Sequence, residues 1–169
     1  MSNISQQAIL KSLITIASAL VCALLLFTRI PGMEIFGIRP NWLLIWVVAW
    51  SSQSSTIEAL VAGLVLGLIQ DSITAPYPTH VIPLVFAGFI IVFLQKQRFI
   101  QEDFISIALV TFILAIIAET FMAIQLGLIG NQTFGEIWVY YKQVALGSAV
   151  ISSLWAPVIY FPLSQLWKP

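Results

Sequence analysis

The fold is decided by two consecutive stretches, Pro40-Asn41-Trp42-Leu43-Leu44-Ile45-Trp46-Val47-Val48-Ala49-Trp50-Ser51-Ser52-Gln53 and Ser54-Ser55-Thr56-Ile57-Glu58-Ala59-Leu60-Val61-Ala62-Gly63-Leu64-Val65-Leu66-Gly67-Leu68-Ile69-Gln70-Asp71. The first is fourteen residues of almost unbroken apolar character, about 21 Å as a helix at ~1.5 Å per residue. That is short of a bilayer hydrocarbon core of about 30 Å. The run stops in a serine-rich break, and a second apolar run starts at Thr56. Ser55-x-x-Glu58 at the restart has the spacing of a capping box, which accounts for Glu58. Neither run alternates polar with apolar as a barrel strand does, and in hydrocarbon only helices and closed barrels satisfy their own backbones. Both segments read as membrane helices. Their shortness is met by tilting, by local thinning of the bilayer, or by a hairpin shielded by longer helices.

The rest of the chain repeats the pattern. Of the 169 residues 60% are apolar and 8% charged, where a soluble domain carries about a quarter charged. A first segment runs from about Ile9 to Thr28 and ends at Arg29-Ile30-Pro31-Gly32. The fourth runs from about Pro78 to Leu94, the fifth from about Asp103 to Ile129, and a sixth starts near Glu136 and carries Pro157 and Pro162. No small-x-small cleavage site comes after the first segment, so it reads as a retained helix, and Cys22 within it as a buried apolar residue. The expected architecture is all-α, an integral membrane bundle of about six transmembrane helices, with residues 1–169 forming a single polytopic transmembrane domain. Counting lysine and arginine places Lys11, Lys96, Arg98 and Lys168 on the inner side and Arg29, Arg39 and Lys142 outside, so both termini are expected in the cytoplasm.

The polar residues carry the functional information. Trp42, Trp46 and Trp50 share one face of the second helix and read as a lipid-facing stripe, with a docking face for a partner helix as the other reading. Trp138 and Tyr160 are about 33 Å apart along the sixth helix, the separation of the two interfaces. Ala59, Gly63, Gly67 and Asp71 recur every four residues, and Gly63-x-x-x-Gly67 allows close approach of another helix of the same chain. Asp71 ends its helix at the negative end of the dipole. It needs Arg39, Arg29 or backbone N–H groups of the next loop, and it reads as a lock holding the third and fourth segments to the first loop. Glu119 flanks a seam of Ala108, Thr111, Ala115, Ala118, Met122 and Gln125, so it should face the bundle, with Ser148 or Ser152 as hydrogen-bond partners. His80 and Lys142 read as interfacial.

Several function classes fall away. With one cysteine and one histidine there is no intramolecular disulfide, no cysteine-cluster metal site and no nucleophile–base pair to assemble. No glycine-rich phosphate loop or basic cluster is present, so no enzyme activity, cofactor or nucleic-acid partner is expected.

The string Arg39-Pro40-Asn41-Trp42-Leu43-Leu44-Ile45, a short second span, and then Gly63-Leu64-Val65-Leu66-Gly67-Leu68-Ile69-Gln70-Asp71 resembles the rod shape-determining protein MreD family of bacteria. Many relatives carry an acidic residue where this chain has Asn41, and a Pro-x-Gly turn where it has Ala75-Pro76-Tyr77-Pro78-Thr79. The resemblance implies a non-enzymatic subunit of the cell-elongation machinery that makes peptidoglycan, in the bacterial inner membrane. It implies MreC, a single-span coiled-coil protein, as partner, and through it the MreB filament and the peptidoglycan synthases. Arg39, Pro40, Asn41, Trp42, Gly63, Gly67, Gln70, Asp71 and Glu119 are the structural or partner-binding candidates. That family is similar in fold to the substrate-binding subunits of energy-coupling-factor vitamin transporters, which supplies the alternative of a small-molecule-binding membrane subunit. A transporter subunit should show several polar groups converging on one pocket.

Overall fold

The computed structural model describes residues 2–28, 32–34, 37–74, 77–97, 103–129 and 134–167. They form six helices: α1 (Ser2–Leu25), α2 (Trp42–Ser51), α3 (Thr56–Ile73), α4 (Val81–Lys96), α5 (Phe104–Ile129) and α6 (Phe134–Trp167), with no strand among the described residues. Thr56–Ile73, Phe104–Ile129 and Gly135–Trp167 are each long and apolar enough to cross a bilayer. The apolar parts of the other three, Ile9–Leu25, Trp42–Ser51 and Val81–Lys96, are shorter. The expectation of about six membrane helices is therefore met in helix number, while spanning length is reached by three. Helix α2 is short as expected, but α3, also read as short, is long enough to span. The chain is a helical membrane protein.

Helix α2 shows why the lengths differ. Its 10 residues cover about 15 Å, half of the hydrocarbon thickness. Residues Trp42 to Ala49 are all buried, with Leu43, Leu44 and Val47 wholly enclosed. The helix sits at the centre of the bundle and touches all five others, while the most extensive pairings are the α3–α4 and α5–α6 hairpins on either side of it. A helix that is apolar all round and shorter than the bilayer has nowhere better to go than the interior. Asn41 starts it, its Oδ1 accepting from Leu44 N at 3.1 Å. The serine run ends it: Ser52 and Ser54 hydroxyls donate back to the carbonyls of Ala49 and Trp50, each at 2.8 Å.

This placement corrects the reading of the tryptophans as a lipid-facing stripe. Trp42 and Trp46 are 4% and 3% exposed. Trp42 meets Trp155 of α6 edge to face at 5.7 Å, and Trp46 and Trp50 both meet Trp167 edge to face at 6.0 and 5.0 Å. Trp46 Nε1 donates to Ser18 Oγ of α1 at 2.9 Å, so even its polar handle is used internally. Between helices in lipid there is no hydrophobic drive, and large aromatic surfaces with one hydrogen bond supply the attraction instead. Tyr160 is corrected in the same way. It is fully buried beside Phe161 and does not mark an interface, whereas Trp138 is exposed near the start of α6. Cys22 is buried, as a small apolar residue would be.

The capping box at α3 forms as the spacing predicts, with Glu58 Oε2 accepting from Ser55 N at 2.8 Å and Ser55 Oγ accepting from Glu58 N at 3.4 Å. At the same end of the bundle Lys96 Nζ, on the last turn of α4, donates to Thr56 Oγ1 at 2.9 Å. The α3–α4 hairpin is thus pinned at one end by Lys96, and at the other by hydrogen bonds from Thr79 and His80 to Asp71.

Candidate partner-binding site

Helices α3 and α4 pack backbone to backbone. A Cβ on Gly63 would stand 2.7 Å from Leu84 O, one on Gly67 2.5 Å from Val81 Cα, and one on Gly88 2.8 Å from Ala59 O. Gly63 and Gly67 therefore face α4 of the same chain, and Gly88 supplies the reciprocal small residue from the other side. The missing side chains let the helix axes approach to where dispersion and weak contacts act between backbones. Gln70, on the same face, is buried.

Asp71 ends this seam. Its Oδ2 accepts from the Thr79 hydroxyl, and its Oδ1 accepts from His80 N at 2.7 Å and lies 2.8 Å from His80 Nδ1. The backbone donor that this carboxylate needs is thus His80 N–H, at the residue that precedes α4. Gln125 of α5 joins the cluster by accepting from Thr79 N at 2.9 Å and donating to Thr79 O at 3.1 Å. The lock to the first loop is not present in the described residues. Arg39 instead donates from Nη1 to Leu26 O at 2.6 Å, where a cation meets the carbonyl end of α1. Arg29 lies outside the described residues. Asp71 therefore ties α3 to α4 and, through Thr79, to α5. The interfacial reading of His80 misses this role, because a lone histidine gives no spacing signal. The usable sign is its position one residue before a helix start, within reach of a carboxylate that needs donors.

Around α2 the candidates Arg39 to Trp42 form one junction. Pro40 is buried, and Asn41 N donates to Ser152 Oγ of α6 at 2.9 Å while Asn41 Oδ1 caps α2. An acidic side chain at position 41 would accept the same Leu44 N–H. Glu119 lies half-buried on α5 and hydrogen-bonds the Ser148 side chain, one of the two partners expected. It lines a cleft of about 250 Å³ between α5 and α6 with Tyr141, Lys142 and Trp138. Among the described residues no three His, Cys, Asp or Glu side chains gather as a metal site would require.

Apart from Arg39, which is exposed, and Glu119, which lines the α5–α6 cleft, the candidates build the interior. A groove of about 720 Å³ runs between the first loop and the N-terminal half of α6, lined by Gly37, Ile38, Tyr140, Gln143, Val144, Leu146, Gly147 and Val150. Gly37 has φ of 77°, a left-handed turn that suits glycine. It positions Ile38, whose Cδ1 sits over Gly147. Nothing in the spacing of residues 37–38 and 140–150 signals this groove, because it is made by a loop folding onto a helix far along the chain.

No curated relative and no solved structure matches the chain. A family model described as rod shape-determining protein MreD matches residues 4–164, which covers α2 to α5 whole and most of α1 and α6. With the match extending from the first helix into the last, and with Arg39 to Asp71 building the centre of the bundle, the chain belongs to the rod shape-determining protein MreD family.

Proposed function

We propose that this chain is a non-enzymatic scaffold subunit of the bacterial cell-elongation machinery, multi-pass in the inner membrane as one polytopic domain with both termini cytoplasmic. The observation that carries the reading is the family match over residues 4–164, since that family determines rod shape. MreC is the direct partner, with the MreB filament and the peptidoglycan synthases reached through it. The orientation is supported by Lys96, which stands at the same end of the bundle as the α2–α3 turn.

The groove between the first loop and α6 is the proposed seat of the MreC transmembrane segment. Binding in lipid depends on close packing and a few hydrogen bonds, and this surface offers Gly37 for approach and Tyr140 and Gln143 for hydrogen bonding. Of its apolar lining, Leu146 and Val150 are exposed. The tryptophan face of α2, the other surface with the residues for docking, is occupied within the chain and is not available to a partner. Two polar side chains in so large a groove are few for a vitamin site, which favours a helix as occupant over a small molecule.

Val150→Trp fills the groove from an exposed position and leaves α2 and the α3–α4 seam untouched. Overpacking of this kind costs about 1–3 kcal/mol, so the amount of MreC that co-purifies from native membranes should fall about tenfold or more. The variant should elute from detergent as the wild type does. Undiminished recovery of MreC would exclude this surface.

A further inference from the structure

We propose that the cleft between α1, the end of α2 and the end of α6 binds the phosphate of an anionic phospholipid of the surrounding bilayer. The cleft, about 380 Å³, is lined by Lys11, Ser12, Thr15, Ile16, Trp50, Gln53 and Trp167. Among the described residues lining it, Lys11 is the one ionisable side chain and there is no carboxylate. Two of its lining residues hold N–H groups that are buried and lack an acceptor: Gln53 Nε2 and Trp167 Nε1. Buried donors without a partner are uncommon in a folded protein, and two beside a lysine in one cleft point to an acceptor supplied from outside. The Thr15 hydroxyl donates to Lys11 O at 2.9 Å and makes no hydrogen bond with either N–H.

Depth and charge select the ligand. Lys11 stands in the first turns of the apolar stretch Ile9–Leu25, Gln53 lies just past the end of α2, and Trp167 is the last residue of α6. The ends of α2 and α6 therefore meet the start of the apolar part of α1 at one level, where apolar runs give way to polar residues. Tryptophan and lysine are the side chains that settle at lipid headgroup depth. Trp50 and Trp167, in edge-to-face contact at 5.0 Å, form a wall against which a glycerol backbone can lie. A cation with neutral N–H donors and no competing carboxylate is matched by a phosphate diester. This site does not rest on the docking of MreC, and it lies at the opposite end of α6 from the groove proposed for that partner.

The test uses the full chain in nanodiscs of phosphatidylcholine doped with phosphatidylglycerol, with native mass spectrometry reading the lipids retained. Wild type should retain phosphatidylglycerol in preference to phosphatidylcholine. Lys11→Gln should lower that preference about fivefold, the factor one lysine contributes beside an anionic headgroup. Trp167→Phe removes the N–H together with the fused second ring while leaving an aromatic ring beside Trp50, and should lower it as well. Lys142→Gln, on the N-terminal half of α6, should leave it unchanged, and added inorganic phosphate should not displace the lipid. Equal retention of both lipids by wild type would show ordinary boundary lipid and overturn the proposal. So would unchanged retention in both the Lys11 and Trp167 variants, or complete displacement by inorganic phosphate.

Discussion

Gly67→Leu is expected to prevent the α3–α4 hairpin from closing and to leave little monodisperse protein after detergent extraction. Even the first carbon of the new side chain would stand 2.5 Å from Val81 Cα and 2.9 Å from Val81 N. Those are backbone atoms at the start of α4 and cannot rotate away, so the helices must separate. Overpacking a core costs about 1–3 kcal/mol where side chains can yield, and here the cost falls at or beyond the upper end of that range. Separation also pulls Thr79 and His80 away from Asp71, so the loss spreads along the seam. Gly147→Ala is the contrasting variant. Its new methyl meets Ile38 Cδ1, the far end of a flexible side chain, and the added helix propensity is worth up to ~1 kcal/mol. Its melting temperature in detergent should stay near that of the wild type. A monodisperse Gly67→Leu protein with unchanged melting temperature would show that the seam is looser than its geometry.

Asp71→Ala should be the next most damaging change. It removes the acceptor of the Thr79 hydroxyl and of His80 N–H in a cluster where the Asp71 and His80 side chains are 13% and 17% exposed. A buried donor left without an acceptor costs about 1–3 kcal/mol, and two are left here. His80→Ala should be milder, because the backbone N–H to Asp71 survives it. Amide hydrogen exchange at residue 80, read with the detergent melting temperature, separates the two variants. Exchange should quicken strongly in Asp71→Ala and little in His80→Ala. Equal protection in wild type and Asp71→Ala would show that the carboxylate does not hold the α4 start.

The features legible in the sequence are those that lie close along the chain. The serine break after Trp50, the Ser55–Glu58 box and the Gly63–Gly67 repeat are local, and each forms as its spacing implies. Most helix starts and stops follow Pro, Gly and polar runs within a few residues, with α3 extending two residues beyond Asp71 to Ile73. Helix α1, however, starts at Ser2 instead of the expected Ile9, because the polar residues ahead of its apolar run are also helical. Burial is harder to read. In water an apolar face implies a core, but in lipid it fits the interior and the bilayer equally, so the period of Trp42, Trp46 and Trp50 names a shared face without saying what it meets. The decisive sign is length, since 10 residues cannot both span and face lipid along their whole course. The Asp71–His80 contact and the groove over Gly147 depend on loops whose course no periodicity reports. Glu119 and Ser148 do pair as expected, because an intramembrane carboxyl must find a partner on a neighbouring helix.

The most direct measurement of the central claim is the shape of rod-shaped cells as this chain is depleted. Membership of a rod shape-determining family and a scaffold role predict that the cells round up. Wall-synthesis enzymes recovered from them should keep their intrinsic activity, and vitamin uptake should continue. Cells that keep their rod shape through depletion while losing uptake of a vitamin would contradict the scaffold role and favour a small-molecule-binding subunit.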